Sequence, residues 1–499
     1  MVNVETISLS LISHTNVGKT TLARTLLGRD IGVVRDEAHV TDTADQYTLV
    51  ETPTGDRLLL WDTPGFGDSA RLARRLEASG DPVGWLLGQV WDRFRDRALW
   101  SSQTAARNVR EQADVVLYLV NASEAPDEAG YVGPEMRVLD WIGKPVVVLL
   151  NQLGKPLSAQ AEAAEVQAWR GALAGARQVR AVLPLDAFAR CWVQEATLLQ
   201  TIAPLIAEAR RPAFDRLVEA WMAQRRDVFD ASMRELADRI AMAAADSERI
   251  DDASVLDRLR DVGGAVLGKL PTLSGRSDET DETLPSASRQ LGMRRLAERL
   301  DAEIRDSTER LIRLHGLEGR ASETILARLA EHYVVRQQLS EGKAAAFGGA
   351  VTGALAGLKA DLATGGLSFG AGLLAGGVLG ALGAFGLARG YNVVRGKRSS
   401  SITWSNAMLD ELVTTALLGY LAVAHYGRGR GDWTPSEHPP HWRGVVEAVL
   451  RERRDAFTHA WSLRGEAQAR DAIVEALQPA LGEATLAVLE RLYPGSRTR

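Results

Sequence analysis

Eight residues near the start of the chain have the types and spacing to hold phosphate. Ser13-His14-Thr15-Asn16-Val17-Gly18-Lys19-Thr20 separates an apolar run at residues 7–12 from an amphipathic stretch that reaches Leu27. A strand, a tight turn and a helix in that order bring successive turn N–H groups and the positive end of the helix dipole to one point. Lys19 would reach the β- and γ-phosphates of a nucleotide, and the Thr20 hydroxyl would ligate Mg²⁺, with Thr21 completing the set. The motif G-x-x-x-x-G-K-[ST] would begin with Gly; this one begins with Ser13.

Such a loop needs a sheet to carry it. Residues 46–51 and 57–61 read as two strands joined by a turn at Pro53-Thr54-Gly55-Asp56, and the second runs into Asp62-Thr63-Pro64-Gly65-Phe66. Residues 113–120 and 146–151 are apolar runs too continuous for an exposed edge, and residues 180–183 form a weaker strand. Helical patterns at residues 135–142, 158–173 and from Cys191 onward alternate with them. The expected fold is therefore α/β: a mostly parallel sheet with helices on both faces. Ligands of such sheets bind beyond the carboxyl ends of the strands. The loop at 13–20, Asp62–Gly65 and Asn151 all fall at strand carboxyl ends.

A chain of 499 residues is too long for one core. Its net charge of −5 gives no global pull toward nucleic acid, and its arginines are interleaved with acids along helical stretches, so no nucleic-acid partner is expected. Cys191 is the one cysteine, which excludes an intrachain disulfide and a cysteine-rich zinc site. With no basic region and apolar segment ahead of the first strand, we expect a cytoplasmic protein, peripheral at the inner face of the membrane if it meets one.

The motif set resembles the translation-factor-like P-loop GTPases over about residues 5–195, closest to the Era and TrmE-like families with their Asn-Val-Gly-Lys loops. Asp-Thr-Pro-Gly-Phe-Gly-Asp at 62–68 is similar to a segment of septins and dynamins. The layout resembles bacterial GTPases with a large helical C-terminal domain of unknown function. The resemblance implies GTP and Mg²⁺ as ligands. It implies Thr41 as the switch threonine that joins Thr20 on the metal, with Thr43 in reserve. Asp62 would hold Mg²⁺ through a water, and the Gly65 N–H would contact the γ-phosphate, so that losing that phosphate releases the segment that follows. Asn16 stands where several related GTPases bind K⁺ beside the phosphates; as a bare residue it is equally a turn former. Phe66 replaces the water-orienting glutamine of Ras-like proteins, which predicts slow intrinsic turnover. The guanine motif Asn-Lys-x-Asp is broken here to Asn151-Gln152-Leu153-Gly154. Asn151 and Gln152 keep base contacts open, the aspartate is lost, and Asp186 is the candidate replacement or else a helix N-cap.

The domain plan read from the sequence is a G domain over residues 1–205, with a helical insert at about 70–111 carrying Trp85, Trp91, Phe94 and Trp100. An all-α region follows: a helical domain at 206–340 with a polar linker at 271–286, a glycine-rich apolar helical hairpin at 341–398 and a helical segment at 399–499. In the hairpin, Gly349, Gly353 and Gly357, then Gly372, Gly376 and Gly380, recur at four-residue steps that let helices approach closely, in a protein core or in a bilayer. Arg336 and Lys343 before it and Arg389, Arg395, Lys397 and Arg398 after it suit a hairpin with both ends on one side. Three functions fit these features: a slow GTPase switch that self-associates or meets a protein partner, a dynamin-like membrane-remodelling GTPase using residues 344–388 on a membrane surface, and a nucleotide-binding scaffold with relaxed base specificity.

Overall fold

The computed structural model describes residues 4–28, 44–80, 96–152, 159–185, 191–250, 287–317, 387–394, 397–426, 441–466 and 468–494. Thr41, Thr43, Gly154, Asp186, the linker at 271–286 and the glycine-rich segment up to residue 386 lie outside these described residues.

The first part of the chain is an α/β unit. Its strands are β1 (Thr6–Ser13), β2 (Asp45–Glu51), β3 (Arg57–Asp62), β4 (Val115–Asn121), β5 (Val146–Asn151) and β6 (Val179–Pro184). They form one sheet in the order β2-β3-β1-β4-β5-β6. β2 and β3 pair antiparallel through the short turn at Gly55, and the other pairings are parallel. β1, β4 and β5 are buried almost throughout, as central strands covered on both faces must be. The helices are α1 (Lys19–Leu27), α2 (Ser69–Glu77), α3 (Arg97–Gln112), α4 (Val132–Ile142), α5 (Ala159–Ala172) and α6 (Trp192–Ile202). Asp68 caps α2 by accepting from the Arg71 N–H, and Asp96 caps α3 by accepting from the Leu99 N–H.

The remainder is mostly helical: α7 (Arg211–Ala245), α8 (Ala287–Leu314), α9 (Asn406–Ala424), α10 (His441–Glu452), α11 (Arg454–Ser462) and α12 (Ala469–Leu492). It also contains a small antiparallel sheet that the sequence reading lacked. β7 (Ser247–Ile250), β8 (Leu387–Val394) and β9 (Lys397–Trp404) pair in the order β7-β9-β8. The end of the expected helical hairpin and the start of the expected C-terminal helical segment are thus strands. The reason is local: β8 carries Tyr391, Val393 and Val394 and β9 ends in Ile402, Thr403 and Trp404, types that favour a strand, and the two pair from Leu387 with Trp404 to Val394 with Lys397. α9 starts only after Ser405, whose hydroxyl accepts from the Met408 N–H at 3.2 Å.

The sheet separates two cores. On one face Ile12, Phe66, Tyr118 and Val148 pack with α2, α3, α4 and Trp169 of α5. On the other, Ile7, Leu9 and Leu11 pack with α1 and α6, and this core continues without a break into Phe214 and Trp221 of α7, Tyr420 of α9 and Leu481 of α12. The domain division expected at residue 205 therefore does not coincide with a gap in the core. Polar contacts reinforce the junction. Arg210 bonds the Glu5 and Asp114 carboxylates and the Thr6 carbonyl, and Arg216 bonds the fully buried Asp56 at 2.8 Å. α9 and α12 are long and apolar enough to cross a membrane by length and composition, yet both contribute side chains to this shared core.

His425, at the end of α9, is sealed between Trp442 and Tyr493, with ring centroids 4.6 and 5.7 Å away, and its Nδ1 lies 2.7 Å from the Leu421 carbonyl. Burial pushes the imidazole down to about 4. The unfolded chain takes up the proton near 6.5 and the folded chain near 4, so stability present above 6.5 is lost as pH falls through this window, up to roughly 3 kcal/mol. We expect denaturant midpoints measured between pH 7.5 and 4.5 to fall with pH in the wild type and to fall less steeply in His425→Phe, which keeps the ring and cannot titrate.

Candidate functional site

The end of β1 turns into α1 through residues 13–18. Asn16 and Gly18 take left-handed backbone conformations, with φ of 65° and 92°. Asn tolerates that conformation better than most residues, so the turn alone accounts for Asn16. Gly18 has a second constraint, because a Cβ there would come within 2.8 Å of Asn151 Nδ2. Asn151 sits at the end of β5, fully buried, and its side-chain amide donates to the Val17 carbonyl at 2.7 Å. One base-motif residue is therefore a strut for the phosphate loop. Gln152 follows with φ 58°, and its amide lies beside Gly18.

Lys19 opens α1 and is only 7% exposed. Its ammonium donates to the Ser13 hydroxyl at 3.1 Å, and that hydroxyl donates to the His14 carbonyl at 2.5 Å. The departure of Ser13 from glycine thus gives the lysine a partner. Burial lowers the Lys19 pKa, while Asp62 and Glu135 pull it back up. Thr20 donates to Asp62 Oδ2 at 2.7 Å, so the two expected metal residues meet. Asp62 is 2% exposed, its Oδ1 has no partner among the described residues, and its burial raises the carboxyl pKa. A buried carboxylate oxygen without a donor, beside a threonine hydroxyl at a phosphate loop, fits a hard divalent cation held through oxygen ligands and water. Thr20 and Asp62 would hold Mg²⁺ here.

The segment after Asp62 is docked on the loop. The Thr63 hydroxyl donates to the Leu11 carbonyl at 2.6 Å, and Pro64 is buried. Phe66 N–H donates to the Ser13 carbonyl at 2.9 Å, and Thr15 N–H donates back to the Phe66 carbonyl at 3.3 Å. Gly65 packs so closely that a Cβ would lie 3.0 Å from the Lys19 ammonium and 3.0 Å from Thr15 Cα. The Phe66 ring is fully buried in the core beneath α2 and α3. Val17 is likewise buried in the opposite core, and Thr21 is buried within α1.

The structure therefore brings together Ser13, Lys19, Thr20, Asp62, Gly65, Asn151 and Gln152. It also adds residues that the sequence reading did not single out. Ser101 Oγ donates to the Gly65 carbonyl at 2.8 Å, and Ser102 Oγ accepts from the N–H groups of Gly67 and Asp68 at 3.0 and 3.1 Å. Glu135 lies behind His14 and bonds it at 2.8 Å. Serines on a helix and an acid in a first helical turn carry no motif, so nothing in the sequence marked them.

Residues 8–152 match the profile of a GTPase family described as 50S ribosome-binding GTPase, and residues 170–479 match a family described only as a domain of unknown function, DUF3482. The second match covers more than half of the chain. The chain belongs to the DUF3482 family. The expected order, a GTPase segment followed by a large domain of unknown function, is what these matches describe. The DUF3482 match begins within α5, before β6, so the family unit includes the last strand of the sheet. A search of curated proteins gave no match. Among solved structures, the chain is similar to Era of Aquifex aeolicus bound to GDP and aluminium fluoride, and to Era in complex with MgGDPNP and nucleotides of 16S ribosomal RNA. Each is at 18% identity over 41% of this chain and 58% of the Era chain, with a TM-score of 0.31. The chain thus spans little more than half of these relatives. It is also similar to chloroplast translocon GTPase components, at 14% identity over 41% of this chain and 84% of that one, with a TM-score of 0.29.

Two substitutions test the site. Asn151→Ala removes the strut beneath Val17 and leaves a buried carbonyl unpaired, which should weaken GDP and GTP equally, by about 10- to 100-fold in a fluorescent-nucleotide titration. Asp62→Asn should weaken GTP far more than GDP, and excess EDTA should reproduce that difference in the wild type.

Proposed function

We propose that this protein is a Mg²⁺-dependent GTP-binding switch with slow intrinsic hydrolysis, whose helical region passes the nucleotide state to a partner. The observation that carries the reading is the Thr20–Asp62 contact at 2.7 Å beside the buried Lys19, with the Gly65–Phe66 backbone laid across the loop. A γ-phosphate would bond Lys19, the loop N–H groups and the Gly65 N–H, and would hold the segment from Gly65 onward in one arrangement. Its loss would release that segment.

Slow turnover follows from Phe66. Its ring is a core side chain and offers no polar atom to an attacking water. Hydrolysis then needs charge stabilisation from outside the segment, and K⁺ at Asn16, self-association or a partner would supply it. Turnover should rise in K⁺ over Na⁺ or with protein concentration; equal rates in both salts and at all concentrations would remove the first two sources.

GTP is favoured by the family of the N-terminal segment. Specificity for guanine should be weak, because no aspartate follows Asn151 at the usual spacing and Asn151 is itself engaged with Val17. The deciding experiment is to identify the nucleotide that co-purifies, by mass, with Lys19→Ala as the control. Guanine nucleotide lost in the variant is the expected result. An adenine nucleotide, or none in the wild type, would refute the assignment.

A further inference from the structure

A second polar chain adjoins the phosphate loop: it joins the loop at His14, and its carboxylate helps to hold up the pKa of Lys19. Glu135, in the first turn of α4, is fully buried. The Tyr118 hydroxyl of β4 donates to its Oε2 at 2.6 Å, His14 Nδ1 faces its Oε1 at 2.8 Å, and the Ser69 side chain at the start of α2 bonds it as well. Burial raises the Glu135 pKa, against the pull of its bond to His14. The His14 ring stacks on Tyr131 with centroids 4.6 Å apart. A carboxyl group taken fully out of water is costly unless its lone pairs are met, so these donors are held to a narrow geometry.

His14 connects this chain to residues 65–68. Its side chain reaches α4, and its main chain forms the isolated parallel bridge with Phe66. Ser101 and Ser102 of α3 grip the same segment from the other side. Residues 65–68 therefore lie between two sets of fixed hydrogen bonds, one from the loop and one from α3. The Glu135 chain ties the loop side to α4, to β4 and to the first residue of α2, the helix into which residues 65–68 lead. Lys19 bonds Ser13 and Thr20 bonds Asp62, and Lys19 is also drawn by the Glu135 carboxylate.

We infer that His14 is a positioning residue for hydrolysis: through Glu135 and Tyr118 it fixes where residues 65–68 sit against the phosphate loop, and so acts on the rate of the hydrolytic step more than on the affinity for nucleotide. The inference rests on the reading of this site as a GTP switch. His14 acts on the nucleotide only through the backbones of Thr15, Gly65 and Phe66. It needs to donate one hydrogen bond to Glu135 and to hold the loop in register. Glutamine can do the first at similar reach, and alanine can do neither.

The test uses the full chain as wild type, His14→Ala, His14→Gln and Glu135→Gln. Affinities are read with fluorescent GDP and a non-hydrolysable GTP analogue, hydrolysis by single turnover, and backbone protection over residues 62–77 by hydrogen exchange with and without the analogue. In His14→Ala, single-turnover hydrolysis should fall by about tenfold or more, and by a larger factor than either affinity. Amides at 65–68 should exchange faster in that variant and lose their response to the analogue. His14→Gln should recover most of the rate. Affinity, thermal midpoint and rate falling together in His14→Ala, with no recovery in His14→Gln, would mean a merely structural role and would overturn the inference; so would an unchanged rate. A wild type that binds no GTP sinks the functional reading alone. The tether is then judged in the free protein, where faster exchange at 65–68 in His14→Ala supports it and unchanged exchange overturns it.

Discussion

The N-terminal unit is organised around one buried ammonium. Lys19 is nearly out of water, and its bond to a neutral hydroxyl on Ser13 does not repay that burial. Asp62 and Glu135 lie close enough to raise its pKa, and burial still wins and lowers it. The same burial raises the pKa of Asp62. A lysine and an aspartate are thus both held in an environment that disfavours their charge. Phosphate and a divalent cation would reverse that together, the anion stabilising Lys19 and the cation stabilising Asp62. The glycines at 18 and 65 belong to the same constraint, because each is a point where backbone must come close to the loop and a Cβ would intrude.

The helical region grips the sheet at the opposite end. Arg210 reaches Glu5, Thr6 and Asp114, at the starts of β1 and β4, while the phosphate loop lies at the end of β1. Among the described residues that clasp does not reach the phosphate loop, and the helices meet α1 through apolar packing as well. A route exists. Leu22 and Leu26 of α1 lie in the same core as Val193 and Leu199 of α6, Phe214 and Trp221 of α7 and Tyr420 of α9. α1 begins at Lys19 and ends at Leu27 with Gly28 as its cap, and its last turn borders a polar cavity of about 60 Å³ shared with Trp192, Arg225 and Tyr420. Close-packed cores shift between discrete arrangements more readily than they bend, so a small rotation of α1 would be felt in α7 and α9.

Much of this was readable from residue order. The strands at 57–62, 115–121 and 146–151 follow from apolar runs bounded by turn residues, the strand at 45–51 follows from the turn that joins it to the next, and the loop, Asp62 and Asn151 fall where a parallel sheet places ligands. The polar scaffold behind the loop was illegible for a physical reason. Tyr118 sits in a strand of otherwise apolar residues and reads as core; Glu135 sits in a helical first turn and reads as a favourable end charge. Each looks ordinary alone, and only the fold brings them 2.6 Å apart. The β8–β9 pair was missed because its first residues continue an apolar, glycine-rich run that favours a helical reading, and pairing with β7, far away in sequence, is a tertiary fact.

Phe66 shows how far the two descriptions differ in what they explain. As a letter after Gly65 it is a missing catalytic side chain. In the fold it is an anchor: its ring fills the core under α2 and α3, and its N–H and carbonyl span the phosphate loop from Ser13 to Thr15. A glutamine at that position would have to leave an amide in an apolar core or give up the anchor. The segment therefore trades a self-contained water-orienting group for rigid attachment, and the rigidity is set by its neighbours, the Ser101–Ser102 grip on one side and His14 on the other. For a switch this is a coherent arrangement. On the proposed reading, a segment fastened at both sides would change state only when the γ-phosphate changed the balance between them, and a slow chemical step would keep each state long enough to be read.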